Sequence, residues 1–246
     1  MSEAAIRIEN VSKAFNGNKV LDGVSFAVAA GQAFAILGKS GTGKSVTLKL
    51  IIGLLCPDAG SISIGGEDIQ KLDRENLMRV RTTVGFMFQD AALFDSLTVG
   101  ENVSFPMRRH TAKSEDEIRQ IVKEKLSQVG LEQAVDKMPA DLSGGMRKRA
   151  GLARALALDP PMLLVDEPNS GLDPVTASEI YELLSGLKEH HHTTLLMVTH
   201  DAAGVRAFAD RMGVLDKGRL IACGSPDELA SNKEPLVHAL LSHAGG

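Results

Sequence analysis

The apolar residues of this chain gather in short, dense runs at 33–37, 84–88, 162–165 and 195–198, bounded by glycine, proline or charged residues. Apolar runs of this length, with no polar alternation, are the pattern of strands covered on both faces. Longer stretches with helical spacing separate them, and alternating strands and helices predict an α/β fold with a mostly parallel sheet. The N-terminal texture differs. Ile6-Arg7-Ile8 and Val24-Ser25-Phe26 alternate, which predicts half-exposed antiparallel strands. Between about 90 and 158 the spacing of Ile118, Ile121, Val122, Leu126 and Val129, with polar residues between, predicts an amphipathic helix that buries one stripe. Its neighbours are helical too. With no internal repeat, low-complexity block or linker, residues 1–246 read as a single domain with a helical insert at approximately 90–158.

Composition narrows the class without supplying chemistry. A chain of 246 residues can bury one sizeable core, and with eight Phe, one Tyr and no Trp that core must be aliphatic. The net charge of −4 argues against binding nucleic acid through the overall field. Two cysteines, Cys56 and Cys223, cannot make a disulfide framework and have no zinc-type spacing, so a reducing compartment is expected. No apolar run approaches the ~18 residues of a spanning helix. Met1-Ser2-Glu3-Ala4 shows neither a basic region nor an apolar one, so no signal peptide is expected.

Chemistry enters at Gly38-Lys39-Ser40-Gly41-Thr42-Gly43-Lys44-Ser45, which fits G-x-x-x-x-G-K-[ST]. A buried run precedes it, and an apolar helical stretch from Val46 to residue 55 follows. Strand, loop and helix in that order let backbone N–H groups turn in around phosphate oxygens, with the helix N-terminus adding positive charge. Lys44 would reach the β- and γ-phosphates and the Ser45 hydroxyl would ligate Mg²⁺. A second apolar run ends in Asp166-Glu167-Pro168. Asp166 is placed to hold Mg²⁺, and Glu167 to polarise an attacking water as general base.

The stretch from Leu142-Ser143-Gly144-Gly145-Met146 through Arg147-Lys148-Arg149 to Leu156 resembles the LSGGQ signature and following helix of the ATP-binding cassette ATPases. The resemblance covers essentially the whole chain. It implies a P-loop NTPase (RecA-like) core with an antiparallel β subdomain and a helical signature subdomain, and ATP with Mg²⁺ as ligands. It gives Phe15 the role of stacking on adenine and gives nucleotide contacts to the 38–45 loop and Val46. Gln89 matches the Q-loop glutamine, a catalytic and metal-side residue with Ser45 and Asp166. Glu167 matches the base, Ser170-Gly171-Leu172-Asp173 the D-loop, and His200 the switch histidine. Ser143 is also a good N-cap, and Gly144 and Gly145 expose N–H groups at a helix start. One chain with one phosphate loop cannot use two cradles on the same phosphate. The family's solution is an antiparallel homodimer in which Ser143, Gly144 and Gly145 of one subunit face the ATP of the other. Met146 replaces the usual glutamine, Phe15 lacks the hydroxyl of the commoner tyrosine, and Gly171 replaces a frequent alanine, which should loosen that turn.

Segments 43–50 and 93–103 and Met146 together resemble the ATPase of Mce/Mla-type lipid transporters. That likeness implies separate integral-membrane permease subunits, an Mce-domain lipid-binding protein, a STAS-like accessory protein and a place on the cytoplasmic face of the inner membrane. An ABC ATPase for another solute, or a soluble non-transport ABC ATPase, remains the alternative. The stretch between Lys44 and Ser143 carries no sustained heptad pattern, which disfavours a soluble ABC protein of the DNA-repair kind, with its long coiled-coil insert. Of the remaining signals, Arg147-Lys148-Arg149 reads as a solvated helix face. His190-His191-His192 reads as a polar loop, and the two cysteines as inert thiols in apolar surroundings. The tail at 235–241 carries an apolar stripe suited to packing on its own domain or to docking a partner.

Overall fold

The computed structural model describes residues 4–242, so the leader reading at residues 1–3 lies outside the described residues. The chain divides into two compact units, one built from the segments up to residue 81 and from 185 onward, the other from 82–184.

The first unit opens on a hairpin of β1 (Ala4–Phe15) and β2 (Asn18–Ala29), which pairs Ile6 with Val28 and Ile8 with Phe26. Its turn is Asn16-Gly17, with φ of 50° and 81°. Asparagine and glycine tolerate the left-handed conformation that a tight two-residue hairpin demands. Then come β3 (Ala33–Leu37), α1 (Lys44–Ile51), β4 (Ala59–Ile64), β5 (Glu67–Asp68) and α2 (Arg74–Thr82). The second unit contributes β6 (Val84–Met87), α3 (Val99–His110), α4 (Glu115–Gln128), α5 (Gly144–Ala155), β7 (Met162–Asp166) and the greater part of α6 (Pro174–His191). The chain returns to the first unit with β8 (Thr194–Thr199), α7 (Ala202–Arg206), β9 (Arg211–Asp216), β10 (Arg219–Gly224), α8 (Pro226–Ala230) and α9 (Pro235–Ser242).

The first unit carries an antiparallel sheet in the order β2-β1-β4-β5. It also carries the strands β10-β9-β3-β8, in which β3 runs parallel to both β8 and β9 while β10 is antiparallel to β9. In the second unit β6 is parallel to β7. Every residue of β3, β7 and β8 is buried, which is why their sequences show no alternation. The predicted amphipathic helix is α4, with Ile118, Val122 and Leu126 buried and a Ser114–Glu117 capping box at its start.

Several expectations are corrected. The helix after the phosphate loop stops at Ile51 rather than near residue 55. Gly53 takes φ 68°, and the Arg81 guanidinium donates to the carbonyls of Ile52 (3.0 Å) and Gly53 (2.8 Å), closing the helix end. His190 and His191 belong to the last turn of α6, and His192 follows with φ 51°. Both cysteines are exposed rather than set in apolar surroundings. In the tail, Val237 and Leu241 are buried, and α9 packs on α7 and α8 of its own unit.

Candidate functional site

In the first unit, Gly38 follows β3 and the loop ends at Gly43, whose φ is 104°. A Cβ at Gly43 would lie 2.8 Å from the Val20 carbonyl oxygen, and one at Gly38 would lie 2.5 Å from that of Leu215. Only glycine fits either place, so the backbone closes tightly enough for its N–H groups to line a small cradle. Lys44 is 5% exposed, and its ammonium donates to the carbonyls of Gly38 (2.8 Å) and Lys39 (3.1 Å). The cation is therefore held over the cradle by the loop that forms it. The Thr42 hydroxyl donates to the Lys39 carbonyl (2.9 Å), and the Thr47 hydroxyl to that of Gly43 (3.1 Å). Lys39, Ser40 and Gly41 are exposed at the rim, while Ser45 and Val46 are half-buried in the first turn of α1.

Parallel register brings a second element to the same end. Leu37 pairs with Thr199, so the phosphate loop and exposed His200 leave adjacent strand ends. Phe15 closes the β1–β2 hairpin at 39% exposure, with Lys13 Nζ 5.4 Å from its ring centroid. Asp58 pins that end, accepting from Lys13 Nζ and from the Ala14 N–H, both at 2.7 Å.

In the second unit, Met87 pairs with Val165, so Gln89 and the Asp166-Glu167 pair leave neighbouring strand ends. Both carboxylate residues are buried. Glu167 takes φ 43°, an uncommon conformation for a residue with a Cβ. Its carbonyl accepts from the Ser170 N–H (3.2 Å) and from Lys148 Nζ (3.1 Å), and Gln89 Nε2 donates to Ser170 Oγ (3.3 Å). Gly171 sits at φ 74°. A glycine there relieves strain that an alanine would carry, a physical reason for the departure beyond loosening the turn.

Ser143 caps α5 as expected, its Oγ accepting from the Met146 N–H (3.2 Å). Gly145 is tightly enclosed, because a Cβ there would lie 2.3 Å from Thr176 Cγ2. Asp173 holds Thr176 in place by accepting from its hydroxyl (2.6 Å) and its N–H (3.1 Å). Those two bonds keep the Asp173 carboxyl below the usual carboxylate range.

The basic run after the signature is solvated at Arg147, half so at Arg149, and not at Lys148. Lys148 is buried, and desolvation pushes its ammonium below the ordinary lysine value against the pull of Asp90, Asp166 and Glu167. A helical count from Gly145 through Lys148 to Leu152 follows the buried stripe of α5 and would have marked it. Arg154 is the second residue that sequence reading overlooked. Its guanidinium donates to the carbonyls of Ala91 (2.9 Å) and Ala92 (2.7 Å), two consecutive residues at φ 59° and 49° just after Gln89. Burial lowers Arg154 from its ordinary value.

A family model described as "ABC transporter" matches residues 21–170. The chain belongs to the ABC transporter family. Among its relatives, "Probable ribonucleotide transport ATP-binding protein mkl" of Mycobacterium leprae is 45% identical over 97% of this chain and 69% of that protein. The chain spans about two thirds of the length of such mycobacterial relatives. "Intermembrane phospholipid transport system ATP-binding protein MlaF" of Haemophilus influenzae is 39% identical over 95% of this chain and 89% of the relative. A solved dimeric ATP-binding cassette in a post-hydrolysis state, bound to ADP and Pi, is 33% identical with a TM-score of 0.84, over 90% of this chain and 98% of that one. The fold is thus the P-loop NTPase fold of ABC cassettes, and the domain is an ATP-binding ATPase. Among the described residues no helix is long and apolar enough to cross a membrane.

Proposed function

We propose that this ABC ATPase powers phospholipid transport between envelope membranes through separate permease subunits. The observation that carries this reading is the 39% identity to MlaF over nearly the whole of both chains. A second reading, another solute, is favoured by the 45% identity to mkl and by a "Methionine import ATP-binding protein MetN" at 40%. Reconstituting the chain with its permease in proteoliposomes that carry labelled phospholipid separates the two. ATP-dependent lipid movement is expected, and its absence with ATP-dependent uptake of another solute would favour the second.

Within that reading the chain forms one nucleotide-binding domain with a helical subdomain, and two chains pair antiparallel. Lys44 and the N–H groups of 38–45 hold the phosphates of ATP, Val46 lies at the loop's end, and Phe15 stacks on the base. Ser143, Gly144 and Gly145 of the partner close on the same phosphates. Glu167 takes the proton of the attacking water, His200 stabilises the transferred phosphate, and Gln89 joins the metal side of the site. Ser45, Gln89 and Asp166 each offer an oxygen donor of the kind that suits Mg²⁺ and would hold it, and the tight glycine loop at Gly38 and Gly43 suits phosphate. When bound, the ion would supply charge neutralisation. Permease helices would dock near exposed Phe94 and Phe105, whose rings meet at 4.9 Å. An Mce-domain protein and a STAS-like protein complete the assembly on the cytoplasmic face of the inner membrane. Glu167→Gln is expected to slow hydrolysis by roughly 10²–10⁴-fold, the scale of a general base, while trapping an ATP-bound dimer. Unchanged turnover would remove Glu167 from that role.

A further inference from the structure

Lys148 is 6% exposed, and an ammonium is a costly group to bury unless it is spent on something. Among the described residues its ammonium donates to a backbone carbonyl, that of Glu167, at 3.1 Å. That carbonyl belongs to a residue held at φ 43°, where a side chain with a Cβ does not rest without support. The Ser170 N–H shares the same carbonyl, and Ser170 Oγ receives Gln89 Nε2. Lys148 itself rides on α5, the helix that Ser143 caps. One continuous set of hydrogen bonds therefore runs from the signature helix through the backbone of Glu167 to Gln89.

We infer that Lys148 is a positioning residue for hydrolysis: its grip on the Glu167 carbonyl fixes the left-handed backbone that aims the Glu167 carboxylate, and so ties that aim to the signature helix. A neutral apolar side chain could fill the same volume but could not hold the carbonyl. The inference rests on Glu167 acting as base, and the test keeps the two apart.

Steady-state ATPase of the full chain is measured for Lys148→Met, Lys148→Arg, Glu167→Gln and the Lys148→Met/Glu167→Gln double variant, with nucleotide binding measured on each. Lys148→Met is expected to lower kcat by ~10-fold or more, the scale of a lost hydrogen bond from a charged group, with KM for ATP within about 2-fold of wild type. Lys148→Arg, which can still donate, is expected to recover most of the rate. In the Glu167→Gln background Lys148→Met should have little further effect, because a residue that acts through the base has nothing left to position. A Lys148→Met protein that binds nucleotide and keeps wild-type kcat would overturn the inference, as would equal loss of rate in both backgrounds. Should Lys148→Met fail to fold, Lys148→Leu, which likewise has no donor, carries the same comparison. If Glu167→Gln keeps full turnover, it is the base assignment that fails.

Discussion

Helix α1 begins behind Gly43, which has no side chain to cap with, whereas α5 begins behind Ser143, whose hydroxyl accepts the Met146 N–H. The first loop is closed by a cation of its own, with Lys44 buried over the Gly38 and Lys39 carbonyls. The second is braced instead by an exposed cation, Arg147, which donates to the Leu142 carbonyl just ahead of its glycines (2.7 Å). It offers a hydroxyl that still has a proton to donate, and two glycines at a helix start. A loop that carries its own counter-charge can hold an anion within one chain. A loop whose cation lies out in solvent, where its charge is screened, gains enough only when something else brings the anion to it. The difference predicts that the first loop binds nucleotide in an isolated chain and that the second acts only across a pair.

The largest expected effect tests that division directly. Lys44→Ala should abolish MgATP binding in a titration of the isolated chain, while Ser143→Ala should bind normally and lose turnover by ~10-fold or more, as for a lost charge-assisted bond. Equal loss of binding in both variants would break the comparison. Next, Gly43→Ala should lower stability in thermal unfolding by about 1–3 kcal/mol through collision with the Val20 carbonyl, whereas Gly144→Ala meets only Leu172 Cδ2 at 3.5 Å and should fold with far less loss. Comparable losses at the two glycines would erase the distinction between a closed and an open loop.

Within the second unit, Arg154→Ala should cost about 1.5–3 kcal/mol in denaturant unfolding, since it leaves the Ala91 and Ala92 carbonyls without their charged donor. The smallest effect is a pH dependence in the first unit. Hydrogen bonds from Lys19 and Arg219 hold the Asp22 carboxyl below its ordinary 3.8. A depressed carboxylate contributes stability above 3.8 that is lost as pH falls through its lower folded value. The stability difference between wild type and Asp22→Asn should therefore be steady near neutrality and close on acidification. A difference that widens in acid would contradict the pairing.

The buried strands were legible because residues covered on both faces leave an unbroken apolar run, and the Asn16-Gly17 hairpin because those two residues tolerate its backbone. The phosphate loop was legible for a related reason, since Gly38 and Gly43 are required by collisions that exist in the fold and Gly41 by its positive φ. Lys148 was not, because three consecutive cations suggest a wet surface until their places around the helix are counted. The left-handed turn at Ala91-Ala92 was less legible still. Alanine does not announce a positive φ, and the residue that holds the turn, Arg154, is far along the chain. His190 and His191 looked like loop because histidine is an ordinary helix former with no strong preference of its own.

Gly145 carries a consequence for how variation in this chain should be interpreted. Thr176 Cγ2 occupies the space a side chain would need there, so glycine is demanded by the interior of a single subunit before any partner or nucleotide arrives. Selection at Gly145 thus answers to two masters, and a damaging allele at that codon reports on either. An allele at Gly144, where the fold leaves room, is the one that speaks for the encounter between subunits, since one at Ser143 also costs α5 its cap.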